Sequence, residues 1–333
     1  MSETSPIFRA TKTRRLVSAW VIREDAEHAL ARVREFADIF DQVIFMCERA
    51  QPDGSLPTDW PAGERTELAA RFREMGVSTL NDYSGERETF AELARSPKTV
   101  KVLVQNMAEE CEETGADGVD IDFEHLAPHY RFAFADFMAQ LSEALHARGK
   151  MLSICTGAPS RVWRRDYGIG FLELPTLAQY VDHFRPMNYD LFGPWTPEIV
   201  GPTCTAEWAR DRMAYLAGEV PKHKIVMGLP TYSLDFDITE PKKSRQVYDS
   251  EWIAEREKES SIGRAWIPDW DVSLMRYTDG DGHIHLLYVT DARSTRSHFE
   301  TVDLLDLAGV CFWVLRGDDP RIWEAARRHF GRA

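Results

Sequence analysis

Three observations predict that this chain is an α/β protein, a (β/α)8 TIM barrel with a small α+β insertion between strands 7 and 8. Short apolar segments alternate eight times with segments of helical periodicity. Repeated strand–helix–strand order gives parallel strands joined by right-handed crossovers. The 333 residues suit one such barrel, which commonly takes about 250 residues plus insertions. We therefore expect a single domain over 1–333, with the insertion at about 233–292.

The barrel strands are predicted at short runs rich in β-branched and aromatic residues, bounded by turn residues. These runs are 16–22, 42–47, 77–81, 118–124, 151–156, 183–189, 224–229 and 309–315. Apolar positions spaced three and four apart predict helices at 25–40, 66–75, 90–94, 98–114, 129–147, 174–180, 206–216, 294–306 and 320–330. Within the insertion we expect a helix at 248–260, and an antiparallel strand at 284–289 after an Asp-Gly-Asp-Gly turn.

Composition narrows the classes of partner. The net charge of −14 argues against nucleic acid and anionic membrane surfaces. The five cysteines are scattered and form no C-x-x-C pair, so neither a disulfide framework nor a zinc site is expected, and we expect no metal or other cofactor. No apolar run is long enough to span a membrane, and no signal peptide is visible, which predicts a cytoplasmic protein. The sequence indicates no oligomeric state.

The stretch Asp-Gly-Val-Asp-Ile-Asp-Phe-Glu at 117–124 has strand periodicity. Asp120, Asp122 and Glu124 share one face of such a strand, and the three apolar residues between them share the other. On the inner wall of a barrel, burial and like-charge repulsion raise the pKa of at least one of these acids, which makes a proton donor. The alternatives are an exposed acidic strand and a calcium loop, although His125 stands where an EF-hand loop needs glycine.

The ends of the other predicted strands carry aromatic and acidic residues. Strand six ends in Met-Asn-Tyr-Asp at 187–190, strand seven ends in Gly-Leu-Pro-Thr-Tyr at 228–232, and strand eight ends at Trp313. In a (β/α)8 barrel the carboxyl ends of all strands open at one mouth, where active sites form. Aromatic faces stack on sugar rings, and carboxyl groups bind hydroxyls and donate protons. These residues therefore indicate a carbohydrate site.

The octet at 117–124 resembles the fourth-strand signature of glycoside hydrolase family 18, the chitinase-like enzymes. Met-x-Tyr-Asp at 187–190, Gly-x-Pro-x-Tyr at 228–232 and Gly-x-x-x-Trp at 309–313 are similar to the family's other signatures, so the resemblance covers about 16–325. The segment 288–294 is similar to the bacterial branch that includes spore-cortex-lytic glucosaminidases and chitobiase-like enzymes. No LysM-like repeat accompanies it, which counts against a cortex role.

The resemblance implies a retaining glycosidase with chitin binding and an oligo- or polysaccharide substrate containing β-linked N-acetylglucosamine. It implies that Glu124 protonates the glycosidic oxygen while the substrate's own acetamido oxygen attacks the anomeric carbon. By the same resemblance, Asp122 holds the acetamido N–H, Asp120 shares a proton with Asp122, and Tyr189 bonds the acetamido oxygen. The implied substrate-binding positions are Asp190, Met187, Trp313, Tyr232 and Trp195.

Simpler interpretations stand beside these. Tyr189 and Trp313 could be core residues, and Asp190 could cap a helix. His283 and His285 share a strand face as metal ligands would, but lack a third ligand, so we favour a surface strand. The tryptophans 195, 266 and 270 could form outer sugar subsites or pack the insertion. For the whole chain, the rivals are a catalytically silent lectin-like barrel and a hydrolase of a different β-linked sugar.

Overall fold

Eight parallel strands form the centre of the computed structural model, which describes residues 14–160, 169–196, 198–240 and 244–331. In chain order the strands of the described residues are β1 Leu16–Val21, β2 Gln42–Arg49, β3 Ser78–Gly85, β4 Gly118–Phe123, β5 Met151–Gly157, β6 His183–Met187, β7 Val226–Pro230, β8 Ser233–Asp237, β9 Arg245–Val247, β10 Ala265–Ile267, β11 Val272–Thr278, β12 Ile284–Val289 and β13 Gly309–Trp313. The first seven strands and β13 make the central sheet.

The central sheet closes on itself as a barrel. Its strand order is β6-β5-β4-β3-β2-β1-β13-β7, and every hydrogen-bonded pair in it is parallel. A parallel bridge between Phe184 and Ile225 joins the two outer strands of that order. The predicted (β/α)8 barrel is therefore confirmed.

Helices connect the barrel strands and cover the outside of the sheet. They are α1 Ala26–Glu35, α2 Ala62–Glu74, α3 Arg87–Leu93, α4 Pro97–Glu113, α5 Arg131–His146, α6 Leu174–Leu177, α7 Ala206–Glu219, α8 Ser250–Glu259, α9 Ala292–Leu305 and α10 Pro320–Phe330. None of these helices is both long and apolar enough to cross a membrane.

Several predicted boundaries differ from the structure, and two of the differences have a clear physical reason. The helix predicted to end at residue 40 ends at Glu35, and turns follow. Phe36, Ile39 and Phe40 are buried in those turns, and their spacing imitates a helical stripe. The third strand runs to Gly85 instead of residue 81. The prediction ended too early because polar residues that face the barrel interior interrupt the apolar pattern of the strand.

A second, antiparallel sheet lies between β7 and α9 in the chain. Its order is β10-β11-β12-β8-β9. The antiparallel strand predicted at 284–289 is present as β12, whereas the other four strands were not predicted. Buried side chains of this sheet and of α8 form their own apolar cluster, which includes Ile253, Met275 and Leu287. Residues 241–243 of the predicted insertion lie outside the described residues.

The main core lies between the barrel and its helices. The outward-facing residues of β4, which are Val119, Ile121 and Phe123, are buried there. The ring of Phe123 stacks on Phe137 of α5 with centroids 5.7 Å apart. Burying such a side chain contributes about 1.5–3 kcal/mol, so β4 is fixed with its opposite face directed into the barrel.

Candidate active site

The acid row follows the inner face of β4. Asp120 is fully buried, Asp122 is half-buried, and Glu124 comes directly after the strand ends at Phe123. The backbone N–H of Glu124 donates to the carbonyl oxygen of Gly85 at 3.1 Å. This bond continues the pairing of β3 with β4 by one residue, so it fixes the position of Glu124 at the mouth.

Asp120 is surrounded by hydrogen-bond donors. Its Oδ2 accepts from the indole Nε1 of Trp20 at 3.3 Å and from the Sγ of Cys155 at 3.3 Å. Its Oδ1 accepts from the hydroxyl of Ser153 and lies 3.6 Å from the Nε of the buried Arg185. Both oxygens of this carboxyl group are therefore held by donors from β1 and β5.

Asp122 and Glu124 lie in less favourable surroundings for a charge. Burial, reinforced by the charges of Glu124 and Asp120, raises the pKa of Asp122 well above its ordinary value. Burial also raises the pKa of Glu124, although His125 and Arg49 oppose the shift. A carboxyl group with a raised pKa holds its proton closer to neutral pH, as a general acid requires.

A fourth carboxyl group was missed by the sequence reasoning. Asp82 on β3 is fully buried and stands in register with Asp120 across the β3–β4 pair. Burial raises its pKa well above the ordinary value, with further contributions from Asp122, Asp120 and Glu124. Its signal was an acid directly after the strand predicted at 77–81, at the position where the carboxyl end of a barrel strand faces the mouth.

Asp82, Asp122 and Cys155 bring one potential metal-ligating atom each to within 4.8 Å of one another. A thiol binds a metal as the thiolate. Burial raises the pKa of Cys155 well above its ordinary value, and its sulfur donates to Asp120. In this arrangement the thiol is a hydrogen-bond donor to Asp120.

The end of β6 supplies a tyrosine and a further acid. Tyr189 is buried, and burial raises the pKa of its phenol well above the ordinary value, so it remains a hydrogen-bond donor. Asp190 accepts a hydrogen bond from the hydroxyl of Tyr232, which in turn accepts one from Thr203 at 2.7 Å.

Asp190 does not cap a helix. Its backbone has a φ of 66°, in the left-handed region, which turns the side chain toward the mouth. The residue is exposed there, but its carboxyl group lies against protein atoms. That desolvation raises the pKa of Asp190 to about 6. The hydrogen bond from Tyr232 lowers this pKa, and the charge of Glu124 raises it slightly.

Trp313, the last residue of β13, lies across the barrel interior. Its ring meets Trp20 edge-on with centroids 6.0 Å apart. Its Nε1 lies 3.4 Å from the hydroxyl of Tyr248, which precedes α8. Tyr248 in turn packs on Tyr232 with centroids 5.4 Å apart. Trp313 is thus a partly exposed ring held from both sides, and Tyr248 is a contact that the sequence reasoning missed.

Two cavities meet at Glu124 and the exposed His125. One, of about 670 Å³, is lined by residues that include Met187, Tyr189 and Trp195. The other, of about 570 Å³, lies over the ends of β2 and β3 and reaches Asp122. The junction of the two cavities at Glu124 makes an open cleft with the general-acid candidate at its middle.

Most of the predicted site residues come together at this mouth. Of the three tryptophans considered for outer sugar subsites, one lies there and two do not. Trp195 is half-exposed on the cleft wall. Trp266 instead contacts Arg293, and Trp270 packs near Tyr288 of the second sheet.

The two histidines of β12 and its preceding turn are also remote from the cleft. Each pairs with an acid of β8: His283 Nδ1 lies 2.9 Å from Asp237, and His285 Nδ1 lies 3.0 Å from Asp235. These are ion-pair or hydrogen-bond partners within the second sheet, so the surface-strand interpretation underestimated how much the histidines are engaged.

Glycosidases use a protonated carboxyl group with a second acid beside it. This barrel mouth supplies both, together with the aromatic ring of Trp313, so its chemistry is that of a glycosidase. The profile described as "Glycosyl hydrolases family 18" matches residues 35–318, and the chain belongs to that family. This membership places it among the glycosidases, as the sequence resemblance predicted.

Known proteins are similar to this chain in sequence and in fold over most of its length. The uncharacterized glycosylase YvbX of Bacillus subtilis (strain 168) is 22% identical over 213 residues, which cover 63% of this chain and 60% of YvbX. The spore cortex-lytic enzyme SleL of Bacillus megaterium QM B1551 superimposes with a TM-score of 0.85 at 18% identity, covering 96% of this chain and 75% of SleL. A chitinase of Chromobacterium violaceum ATCC 12472 superimposes with a TM-score of 0.83 at 21% identity, covering 96% of this chain and 100% of the chitinase chain. These two structural likenesses show the fold.

Proposed function

We propose that this protein is a retaining glycoside hydrolase that cleaves β-linked N-acetylglucosamine-containing glycans by substrate-assisted catalysis. The observation that carries the proposal is the position of Glu124 at the junction of two cavities, with Asp122 lining one of them and the pKa values of both residues raised. Family membership and the likeness to a chitinase and a cortex-lytic enzyme support the same class of substrate.

Glu124 acts as the general acid. It protonates the glycosidic oxygen of a sugar bound across the cavity junction, and the bond to the anomeric carbon breaks. The acetamido oxygen of the same sugar attacks that carbon and forms an oxazolinium ion. Water, activated by the resulting Glu124 carboxylate, then opens the ring from the face that the leaving group vacated, so the β configuration is retained.

The other residues orient the acetamido group and stabilise its developing charge. Asp122 accepts a hydrogen bond from the acetamido N–H and stabilises the positive oxazolinium. Tyr189, whose raised pKa keeps its proton, donates to the acetamido oxygen. Trp313 supports the flat face of the sugar, and Asp190 contacts its hydroxyls near the cleavage point. Met187 and Tyr232 shape the wall behind these groups.

The substrate is a chitin-, chitooligosaccharide- or peptidoglycan-type glycan, and Trp195 extends the contact to a further sugar. The half-exposed indole of Trp195 lines the same cavity as Glu124. Exposed aromatic rings beside a catalytic acid fit sugar units beyond the one that is cleaved.

The test is hydrolysis of chromogenic N-acetylglucosamine oligomers of increasing length from pH 4 to 8 by wild type and Glu124→Gln. Cleavage that is lost in the variant and blocked by an oxazoline-mimicking thiazoline is the expected result. The exposed Glu112→Gln serves as a matched control and should cleave like wild type. Oligosaccharide binding without any cleavage would instead identify a silent lectin-like barrel. Cleavage of other β-linked sugars alone would identify a different hydrolase.

A further inference from the structure

Hydrogen-bond donors surround the carboxyl group of Asp120. Trp20, Ser153 and Cys155 all donate to it, and Arg185 lies 3.6 Å away with neither side chain exposed. Both carboxyl oxygens of Asp120 therefore have partners, and neither is left bare.

Asp82 and Asp122 have the opposite character. Oδ2 of Asp82 and Oδ1 of Asp122 are enclosed and have no hydrogen-bond partner among the described residues. Carboxyl oxygens of the two residues lie within 4.8 Å of each other. Two carboxyl groups this close cannot both be charged at low cost, and a proton shared between them would give each group a partner.

The charged and titratable groups around Asp82 are mostly acidic. Asp120, Asp122 and Glu124 approach from β4, Cys155 from β5 and Arg185 from β6. On β2 the register neighbour of Asp82 is Met46, which carries no charge. Arg185, the cation that faces Asp82, already pairs with Asp120, so a proton shared with Asp122 takes the place of a counter-ion for Asp82.

We propose that Asp82 is the proton-sharing partner of Asp122 and acts as a positioning residue for it. Asp82 keeps one proton and donates it as a hydrogen bond to Asp122, so Asp122 is held in place as the acceptor. No proton leaves the pair during the reaction. The consequence for catalysis rests on the proposed function, whereas the location of the proton does not.

This arrangement gives Asp82 and Asp120 different tasks on one face of the barrel. Asp120 and Arg185 anchor the bottom of the acid row electrostatically. Asp82, one strand away, fixes the protonation state of the residue that contacts the substrate. The expectation from family resemblance assigned that sharing to Asp120, and the proposal moves it to Asp82.

Direct titration tests the assignment without requiring activity. Enzyme labelled with ¹³C at the aspartate side-chain carboxyl carbons is titrated by NMR from pH 3 to 10, as wild type and as Asp82→Asn, Asp120→Asn and the exposed control Asp136→Asn. In wild type we expect a carboxyl signal that stays protonated at neutral pH. We expect that signal to disappear in Asp82→Asn and to persist in Asp136→Asn.

Other outcomes would overturn the proposal. Persistence of the protonated signal in Asp82→Asn together with its loss in Asp120→Asn would make Asp120 the partner. Absence of any protonated aspartate at neutral pH in wild type would remove the shared proton altogether. If Asp120→Asn does not fold, the Asp82→Asn spectrum alone decides, because a retained signal contradicts the proposal.

Kinetics provide a second readout once glycan cleavage is established. Asparagine at position 82 still donates a hydrogen bond to Asp122, and alanine does not. We expect Asp82→Asn to restore most of the activity that Asp82→Ala loses, and kcat of the alanine variant to fall about tenfold or more with KM unchanged. Equal losses in both variants would indicate a merely structural residue. If wild type cleaves no glycan, the proposed function fails while the NMR result still stands.

Discussion

The Nε of Arg185 lies 3.6 Å from Oδ1 of Asp120, and neither side chain exposes any surface. The guanidinium also donates to the hydroxyl of Ser18 at 3.0 Å and to the side-chain oxygen of Gln42. It therefore links β1, β2, β4 and β6 inside the barrel. Replacing one member of such a buried pair leaves an uncompensated charge.

We predict that Arg185→Gln lowers the free energy of unfolding by about 3–5 kcal/mol. The control is Arg148→Gln, which breaks the exposed 3.4 Å contact with Glu112 and should cost less than about 1 kcal/mol. Denaturant unfolding followed by tryptophan fluorescence measures both. A loss for Arg185→Gln as small as that of the control would mean that the buried pair does not stabilise the barrel.

The pKa of Asp190 should respond to its tyrosine. The hydrogen bond from Tyr232 favours the carboxylate and lowers a pKa that stands at about 6. Tyr232→Phe removes the donor, so the pKa of Asp190 should rise further. The control is Tyr277→Phe, which removes a 2.8 Å bond to Asp235 in the second sheet. Carboxyl ¹³C titration measures the pKa of Asp190 in both variants. An unchanged or lowered pKa of Asp190 in Tyr232→Phe would contradict this account.

Glu124 should set the upper pH limit of activity. Catalysis needs its protonated form, so activity falls as the pH rises through its raised pKa. Arg49 stabilises the carboxylate, and its removal in Arg49→Gln should raise that pKa further. The alkaline limb of the kcat/KM profile should then move to higher pH at low salt. A shift to lower pH, or an equal shift in Arg148→Gln, would argue against the assignment.

Trp195 should affect binding and leave stability unchanged. Its side chain is 50% exposed on the cleft wall, and a stacked aromatic contact contributes about 1 kcal/mol, or roughly fivefold in affinity. Trp195→Ala should raise KM for long oligomers by that factor while the melting temperature stays constant. Trp270→Ala, in the second sheet, should leave KM unchanged. Equal KM for both variants and wild type would exclude Trp195 from the substrate site.

The barrel and the acid row could be predicted because their signals lie within single segments. Alternation along 118–124 determines which side chains share a face, and β4 has that arrangement, with Phe123 packed in the core and Asp120 inside the barrel. Strand ends could also be placed, since parallel barrel strands open at one mouth. The strands β6 and β13 end at Met187 and Trp313, two residues before the predicted ends at 189 and 315.

The rest depends on register and on tertiary contacts. Asp82 faces Asp120 only because β3 and β4 pair in one particular register, which neither strand's own sequence specifies. Tyr248 reaches Trp313 from a segment next to the second sheet, far away in the chain. Asp190 was open to a helix-cap interpretation because the left-handed turn that directs it to the mouth is a backbone property.

The central claim, retention through the substrate's own acetamido group, is tested most directly by the first anomer that the enzyme releases. Hydrolysis of an unmodified N-acetylglucosamine oligomer should be followed by ¹H NMR within the first minutes, before mutarotation. The account predicts that the β anomer of the new reducing end appears first and converts slowly to the α anomer. Initial release of the α anomer would mean direct attack by water and would contradict it.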